Sequence, residues 1–238
     1  MLVVTSSLWQ TNAVAVRSGS EAMLIDSPYF PDEVDLLPEV LRQSGFEPVG
    51  LLATHADWDH LLGRLAFPGA SLGVAESTAL RLRAEPGVAQ RELRDADHQY
   101  YVTRERPLAL GSYQSLPVPG RVELGDQELE LHPAEGHTTD GMAIFVRWCG
   151  VLVCGDYLSP VEIPMITDRA QYRSTLERLR PLVEAAEVVV PGHGAPQTGD
   201  EALVVLEEDL RYLRDWAIPP GRDSPVQRQV HERNRTAN

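Results

Sequence analysis

The pattern of hydrophobic and polar positions predicts a chain in which strands and helices alternate. Short apolar runs bounded by glycine, proline or acidic residues are typical of buried strands, whereas apolar residues that recur every three or four positions are typical of amphipathic helices. The predicted strands cover residues 8–17, 21–26, 48–54, 71–75, 120–125, 127–133, 142–147, 151–156 and 187–191. The predicted helices cover residues 31–44, 76–83, 171–182 and 200–216, with a shorter one between residues 60 and 67. This order predicts an α/β fold.

Residues 1–217 are predicted to form a single domain, because no segment within them is rich enough in glycine or serine to act as a linker. The stretch at about 87–120 contains charged residues, two adjacent tyrosines and several prolines, and we interpret it as an insertion that covers a cleft. A loop of that length without secondary structure is uncommon, so we expect some helix or strand in it. The polar segment 218–238 is expected to be a loose C-terminal tail.

The formal net charge of −14 argues against a nucleic-acid partner, because binding to a phosphate backbone requires a basic surface. All 21 basic residues are arginine, which excludes chemistry through a lysine Schiff base or a P-loop lysine. No apolar stretch approaches the roughly 20 residues of a membrane span, and residues 1–5 do not begin a signal peptide. We therefore expect a cytoplasmic protein with a small-molecule substrate and no nucleic-acid or membrane partner. The sequence does not determine its oligomeric state.

Residues 55–60 concentrate side chains that bind metals. His55, Asp57, Asp59 and His60 lie within six consecutive residues, directly after the apolar run of residues 49–53. Neighbouring carboxylates repel one another unless a cation lies between them. This stretch therefore predicts a buried strand, a loop dense in candidate metal ligands, and then the start of a helix.

Three later loops each contribute one more candidate ligand. His137, Asp156 and His193 each follow a predicted strand, and each has a glycine next to it in the chain. Glycine permits the sharp turns that bring a neighbouring side chain close to a ligand. A single histidine or aspartate in a loop is more often structural or solvated, so only the joint pattern is informative. Residues 55–60 and these three loops together contain four of the seven histidines.

The run His55-Ala56-Asp57-Trp58-Asp59-His60, followed by His137, Asp156 and His193, resembles the motif of the metallo-β-lactamase superfamily. The usual motif is His-x-His-x-Asp-His, followed by His, Asp and His. The resemblance covers roughly residues 8–216. It implies a four-layer αβ/βα sandwich with two divalent metal ions at one edge. The ligands that it implies are His55, Asp57, His137 and Asp156 for the first ion, and Asp59, His60, His193 and the shared Asp156 for the second.

The resemblance also implies a reaction. A pair of divalent ions lowers the pKa of a bridging water, and the metal-bridging hydroxide then attacks a carbonyl or phosphoryl centre. Asp59 is the candidate proton acceptor. Zinc is the metal that we expect first, but Asp57 occupies a position where histidine is usual, and a carboxylate is a harder ligand than imidazole. Iron and manganese are therefore alternatives to zinc, and a weakened first site would leave one ion bound.

Three functions agree with these features. The first is a dinuclear metal-dependent hydrolase that acts on a small ester, lactone or thioester. The second, motivated by Asp57, is an iron-dependent oxidoreductase or dioxygenase that acts on a thiol-derived substrate, since a carboxylate at this position resembles the metal site of flavo-diiron oxidoreductases. The third is a metal-binding protein without catalysis. Tyr157, Tyr100 and Tyr101 are candidates for lining the substrate pocket, and Asp26 either caps a turn or supports a metal ligand.

Overall fold

Two six-stranded β-sheets pack face to face in the computed structural model, which describes residues 1–237. The first sheet contains, in spatial order, β1 (Leu2–Thr5), β2 (Asn12–Ser18), β3 (Glu21–Asp26), β4 (Pro48–Ala53), β5 (Ser71–Ala75) and β6 (Gln114–Leu116). The second contains β7 (Gly120–Leu124), β8 (Gln127–Pro133), β9 (Met142–Val146), β10 (Val151–Val153), β11 (Val188–Val190) and β12 (Gln197–Thr198). Each sheet thus follows the order of the chain.

Helices cover the outer face of each sheet. The first sheet is covered mainly by α1 (Pro31–Gln43), α2 (Gly63–Ala66), α3 (Glu76–Ala84) and α4 (Val88–Gln99). The second is covered by α5 (Arg169–Ala185) and α6 (Gly199–Asp215), and the described chain ends with α7 (Pro225–Ala237). The predicted four-layer αβ/βα sandwich is therefore confirmed. None of these helices within residues 1–237 combines the length and the apolar character required to cross a membrane.

The strands are apolar on both faces because both faces are buried. In β2, Ala13 and Ala15 pack towards the helices, whereas Val14 and Val16 pack between the two sheets. Successive side chains of a strand point to opposite faces. A strand covered on both sides therefore appears in the sequence as a continuous apolar run, in contrast to the alternation of a half-exposed strand.

The ends of several strands meet at one edge of the sandwich. β3 and β4 are parallel, as are β10 and β11, and β9 runs antiparallel to both β8 and β10. Hydrogen bonds join the sheets there: Met142 N donates to Thr54 O over 2.8 Å, and Asn12 Nδ2 donates to Pro191 O over 2.9 Å. The loops that follow β4, β8, β10 and β11 are consequently brought together.

The segment near the start of the chain differs in detail from the prediction, whereas the insertion agrees with it. Strand β2 begins at Asn12, later than predicted, because Trp9 and Gln10 have positive φ angles of 54° and 53° and turn the chain. As expected, the stretch at 87–120 contains secondary structure, namely α4 and β6. Helix α4 packs on the 3₁₀ turn Trp58–His60.

The prediction of a loose tail over residues 218–238 is wrong for most of its length. Helix α7 buries Gln227, His231 and Asn234, which recur at a helical spacing and form one face. The physical reason is that this face is polar. It satisfies backbone groups of another loop, so it lacks the apolar stripe from which a packed helix is normally recognised. Asn238, the last residue of the predicted tail, lies outside the described residues.

Candidate metal centre

A first group of candidate ligands is formed by His55, Asp57 and His137. The loop after β4 carries His55 and Asp57, and the loop after β8 carries His137. Asp57 Oδ2 lies 3.7 Å from His55 Nε2 and 3.5 Å from His137 Nε2. One ligand atom from each residue falls within 4.8 Å of the others, which is the spread expected around one ion.

A second group is formed by Asp59, His60 and His193. The 3₁₀ turn Trp58–His60 directs Asp59 and His60 to one side, and the loop after β11 brings His193 to meet them. Asp59 Oδ2 lies 3.7 Å from His60 Nε2 and 3.4 Å from His193 Nε2. These three residues are all buried.

Asp156 lies between the two groups. Its Oδ2 is 3.1 Å from His137 Nε2 and 3.8 Å from His55 Nε2. Its Oδ1 is 3.0 Å from His60 Nε2 and 3.4 Å from His193 Nε2. Each oxygen of one carboxylate therefore faces one group, which is the arrangement required of a ligand shared by two ions.

The hydrogen bonds of the imidazoles indicate which nitrogen is left for a metal. His60 Nδ1 donates to Asp26 Oδ2 over 2.9 Å, and His137 Nδ1 donates to Met165 O over 2.9 Å. His193 Nδ1 is held in the same way by a backbone carbonyl, that of Trp9, at 3.2 Å. Carbonyl and carboxylate oxygens only accept, so each Nδ1 carries the proton and each Nε2 presents a lone pair.

The residues present fit divalent ions. Among the described residues, the buried Nε2 atoms of His55, His60 and His137 and the Oδ1 atom of Asp156 have no hydrogen-bond partner. The short separations from Asp156 thus lack hydrogen-bond geometry. Buried polar atoms are nearly always paired, and a cluster of nitrogen and oxygen donors that face one another without hydrogen bonds is explained by a cation between them.

The buried histidines and carboxylates of the centre shift one another's pKa values. Burial lowers the pKa of His60, but the nearby carboxylates, Asp156 first, raise it by more, so that it lies well above its ordinary value. Burial likewise lowers the pKa of His193 and Asp156 raises it, to about 10. Burial raises the pKa of Asp156, yet the histidines hold it well below its usual range. Without a cation, the raised pKa values of His60 and His193 favour an additional proton on each ring, and a metal that binds to Nε2 must displace it.

Asp26 supports the second group. It ends β3 with a positive φ of 58°, and its Oδ1 accepts a hydrogen bond from Thr54 N over 2.8 Å. Its Oδ2 accepts from Thr54 Oγ1 and from His60 Nδ1. Of the two roles expected for Asp26, the geometry matches the support of a metal ligand, since the carboxylate fixes the orientation of the His60 ring.

Two residues of the centre were missed by the sequence reasoning. Arg81, in α3, places Nη1 2.8 Å from Asp57 Oδ1 and 2.8 Å from Asp140 Oδ1. Asp140 is fully buried and its Oδ2 accepts a hydrogen bond from Ala56 N over 2.9 Å. Neither residue belongs to the metal motif, and Arg81 lies far from Asp57 in the chain, so only the packing of α3 reveals the contact.

The three tyrosines expected at the pocket have different positions. Tyr157 is buried, and its hydroxyl accepts a hydrogen bond from His137 N over 3.0 Å, so it supports the loop of a candidate ligand. Its role in lining the substrate pocket stays a prediction. Tyr101 is 96% exposed and points into solvent. Tyr100 packs edge-on against Trp9, with ring centroids 5.5 Å apart, and Trp9 in turn lies 6.4 Å from the ring of His193. An aromatic wall therefore flanks the second group.

The opposite side of the centre is formed by the loop of residues 159–168. A small recess lies between this loop and the centre, and Glu162 and Met165 line it together with His137 and Asp156. The C-terminal segment holds the loop, because Gln227 Oε1 accepts from Ile163 N over 2.6 Å and Asn234 Nδ2 donates to Pro164 O over 2.7 Å. Since Met165 O holds His137, α7 contributes indirectly to the orientation of a candidate ligand.

Gly192 leaves no space for a side chain beside Asp156. A Cβ atom at this position would overlap Asp156 Oδ1 and lie 2.9 Å from His60 Cε1. We expect Gly192→Ala to displace Asp156 and to weaken metal binding at least about 10-fold, as changes next to metal ligands do. The measurement is the metal retained after dialysis against dilute chelator. Gly69→Ala is the control, because nothing lies within 4 Å of its Cβ position. Equal retention by both variants would contradict the prediction.

Comparisons with known proteins agree with this geometry. A family model described as the metallo-beta-lactamase superfamily matches residues 7–193. Among solved structures, the chain is similar to the metallo-beta-lactamase family protein TTHA1429 from Thermus thermophilus, with 19% identity over 90% of this chain and 79% of that chain and a TM-score of 0.69. A metallo-beta-lactamase from Pontibacter korlensis has 20% identity over 86% of this chain and 87% of that chain, with a TM-score of 0.64. TTHA1623, solved in a di-iron-bound form, has 21% identity over 85% of this chain and 97% of that chain, with a TM-score of 0.62.

The structural similarities, at these identities, support the fold alone. The family model spans most of the chain, from the loop before β2 to His193. It therefore includes every residue of the two candidate ligand groups and Asp156. The chain thus belongs to the metallo-β-lactamase superfamily, whose members are generally metal-dependent hydrolases.

Proposed function

We propose that this protein is a dinuclear metal-dependent hydrolase that acts on a small ester, lactone or thioester. The observation that carries the proposal is the position of Asp156, which turns one carboxylate oxygen towards each of two groups of candidate ligands. A structural zinc site closes its coordination with four protein ligands, whereas a catalytic site keeps a position open for substrate. Seven protein ligands shared between two ions leave such positions open.

The geometry suggests a separate role for the metal ions, for Asp59 and for the aromatic side chains. When bound, a pair of divalent ions polarises a substrate carbonyl and makes water acidic enough to attack it near neutral pH. Asp59 is held beside His60 and His193, and Ser27 Oγ donates a hydrogen bond to its backbone carbonyl over 2.9 Å. Asp59 is therefore held in place, and its proposed role is that of proton acceptor. Trp9 and Tyr100 form an aromatic wall that excludes water from one side of the reacting group.

The surroundings of the centre favour a substrate without negative charge. The Glu162 carboxylate lines the recess beside Asp156 and His137. The −14 net charge of the chain adds a general repulsion of anions. A small neutral acyl compound therefore agrees better with this site than a phosphate ester or a nucleic acid.

Metal content and hydrolysis, measured on the same preparation, test the proposal. We expect about two metal ions per chain, turnover of some members of a panel of small esters, lactones and thioesters, and loss of turnover on chelation that is reversed by adding metal. His60→Ala removes a ligand of the second group and is expected to lower kcat/KM at least about 100-fold, since a bound ion supplies several kcal/mol to the transition state. His98→Ala, an exposed position in α4, is the control. Full activity of the metal-free protein would rule the proposal out.

An iron-dependent oxidoreductase acting on a thiol-derived substrate is the second candidate. Asp57 favours it, because carboxylate is a harder ligand than imidazole. The similar protein TTHA1623 was solved with two irons, which supports the ability of this fold to hold iron. Oxygen consumption by the iron-loaded protein with thiol substrates would favour this candidate over hydrolysis, and its absence would remove it.

A further inference from the structure

The centre has an aspartate, Asp57, where the family motif has histidine, and the structure shows a positive charge that offsets part of its negative charge. Asp57 turns Oδ2 towards His55 and His137, and its other oxygen, Oδ1, is 2.8 Å from Arg81 Nη1. The Arg81 side chain is only 15% exposed and that of Asp57 24%, so solvent screens the pair only in part.

Arg81 is itself held in place from two further directions. Its Nη1 donates to Asp140 Oδ1 over 2.8 Å, and its Nε donates to Glu85 Oε2 over 3.3 Å within the same helix. Asp140 also accepts a hydrogen bond from Ala56 N, in the loop that carries Asp57. The guanidinium is therefore oriented before any metal binds, and it cannot turn away from Asp57 without breaking a buried ion pair.

We propose that Arg81 makes Asp57 act as a histidine substitute, by occupying one carboxylate oxygen and offsetting part of its charge. A free carboxylate offers a metal two oxygens and a full negative charge, which favours harder ions that accept more oxygen ligands. The Asp57–Arg81 pair offers one oxygen, as imidazole offers one nitrogen, and Arg81, which also pairs with Asp140 and Glu85, offsets part of the Asp57 charge. Arg81 is thus a positioning residue that preserves a preference for zinc at the first site despite the change in the motif.

This inference rests on the proposed metal centre and is tested by metal selectivity, not by activity. The affinities for Zn²⁺ and Mn²⁺ are measured by competition with a chelator in the wild type, Arg81→Met, Asp57→His and the double variant. We expect Arg81→Met to raise the affinity for Mn²⁺ relative to Zn²⁺ about 10-fold, a typical effect of residues that contact metal ligands. In the Asp57→His background, the same substitution is expected to leave the ratio unchanged, because imidazole has no second oxygen for Arg81 to occupy.

Arg83→Met is the matched control, because it removes an exposed arginine from the same helix without touching Asp57. Its ratio is expected to equal that of the wild type. An unchanged ratio in Arg81→Met, or an equal shift in both backgrounds, would overturn the inference while the metal centre itself stands. A wild-type protein that binds neither ion would overturn the proposed function, and this inference with it. Thermal unfolding of each variant shows whether it folds. If Arg81→Met does not, Arg81→Gln, which keeps a hydrogen-bond donor and removes the charge, replaces it, with a shift in the same direction expected.

Discussion

Asp156→Asn is expected to reduce the bound metal from about two ions to at most one and to abolish turnover. Asparagine has nearly the same shape, but one of the two carboxylate oxygens becomes an amide NH₂ group, which donates and cannot bind a cation. Because Oδ1 faces His60 and His193 while Oδ2 faces His55 and His137, either orientation of the amide removes a ligand from one group.

The size of the effect follows from the loss of an ion next to the reacting group. An ion that polarises a carbonyl stabilises the transition state by several kcal/mol, which corresponds to at least about 100-fold in rate. The measurements are elemental analysis and kcat/KM on the best substrate of the panel. Asp215→Asn is the matched control, since it makes the same chemical change at an exposed residue. An Asp156→Asn protein that kept two ions and its rate would exclude a shared carboxylate.

Arg222→Met is expected to destabilise the fold by about 3–5 kcal/mol, the cost of leaving a buried charge without its partner. The Arg222 side chain is 1% exposed and lies 2.7 Å from Asp209 Oδ1, which is also 1% exposed. Its Nη1 also donates to the backbone carbonyls of Ser159 and Glu162. The substitution therefore leaves the buried Asp209 without its arginine partner. It also removes the hydrogen bonds to Ser159 and Glu162 at the start of the loop that faces the metal centre.

Urea unfolding of the chelated protein measures this loss without the contribution of bound metal. The double variant Arg222→Met/Asp209→Asn is expected to be more stable than Arg222→Met alone, because the stranded charge is gone. Arg228→Met provides the contrast, since Arg228 pairs with Asp223 on the surface, where both side chains are more than half exposed, and exposed pairs contribute at most about 1 kcal/mol. Equal losses for Arg222→Met and Arg228→Met would show that the buried pair does not hold the C-terminal segment.

The elements of the sandwich could be predicted because each sheet is buried on both faces. That burial requires uninterrupted apolar runs such as the one in β4, and it requires apolar stripes such as Val34, Leu37 and Leu41 in α1. The tail could not be predicted in the same way. Gln227, His231 and Asn234 are polar on the buried face of α7, and a polar face does not distinguish a packed helix from a solvated segment.

The candidate ligands could be found in the sequence because metal binding depends on residue type. Histidine and aspartate in loops that follow predicted strands can be recognised as candidate ligands without coordinates, and the structure brings the other six candidates together around Asp156. Their role as metal ligands stays a prediction. The residues that orient these ligands cannot be recognised from the sequence. The carbonyls of Trp9 and Met165 hold His193 and His137 through backbone atoms, which every residue possesses.

The sequence by itself determined the alternating strands and helices and the set of candidate ligand side chains, because burial and ligand chemistry are properties of local patterns. The four layers and the two-ion edge were implied by the resemblance of its motif to that of the metallo-β-lactamase superfamily. Only the tertiary structure decided what surrounds Asp57. Arg81 contacts Asp57 from helix α3, and Asp140 contacts Arg81 from the loop before β9 in the second sheet. These contacts join residues that are far apart in the chain. Electrostatic compensation depends on distance in space, so the charge of Asp57, which looked uncompensated in the motif, is partly offset in the fold.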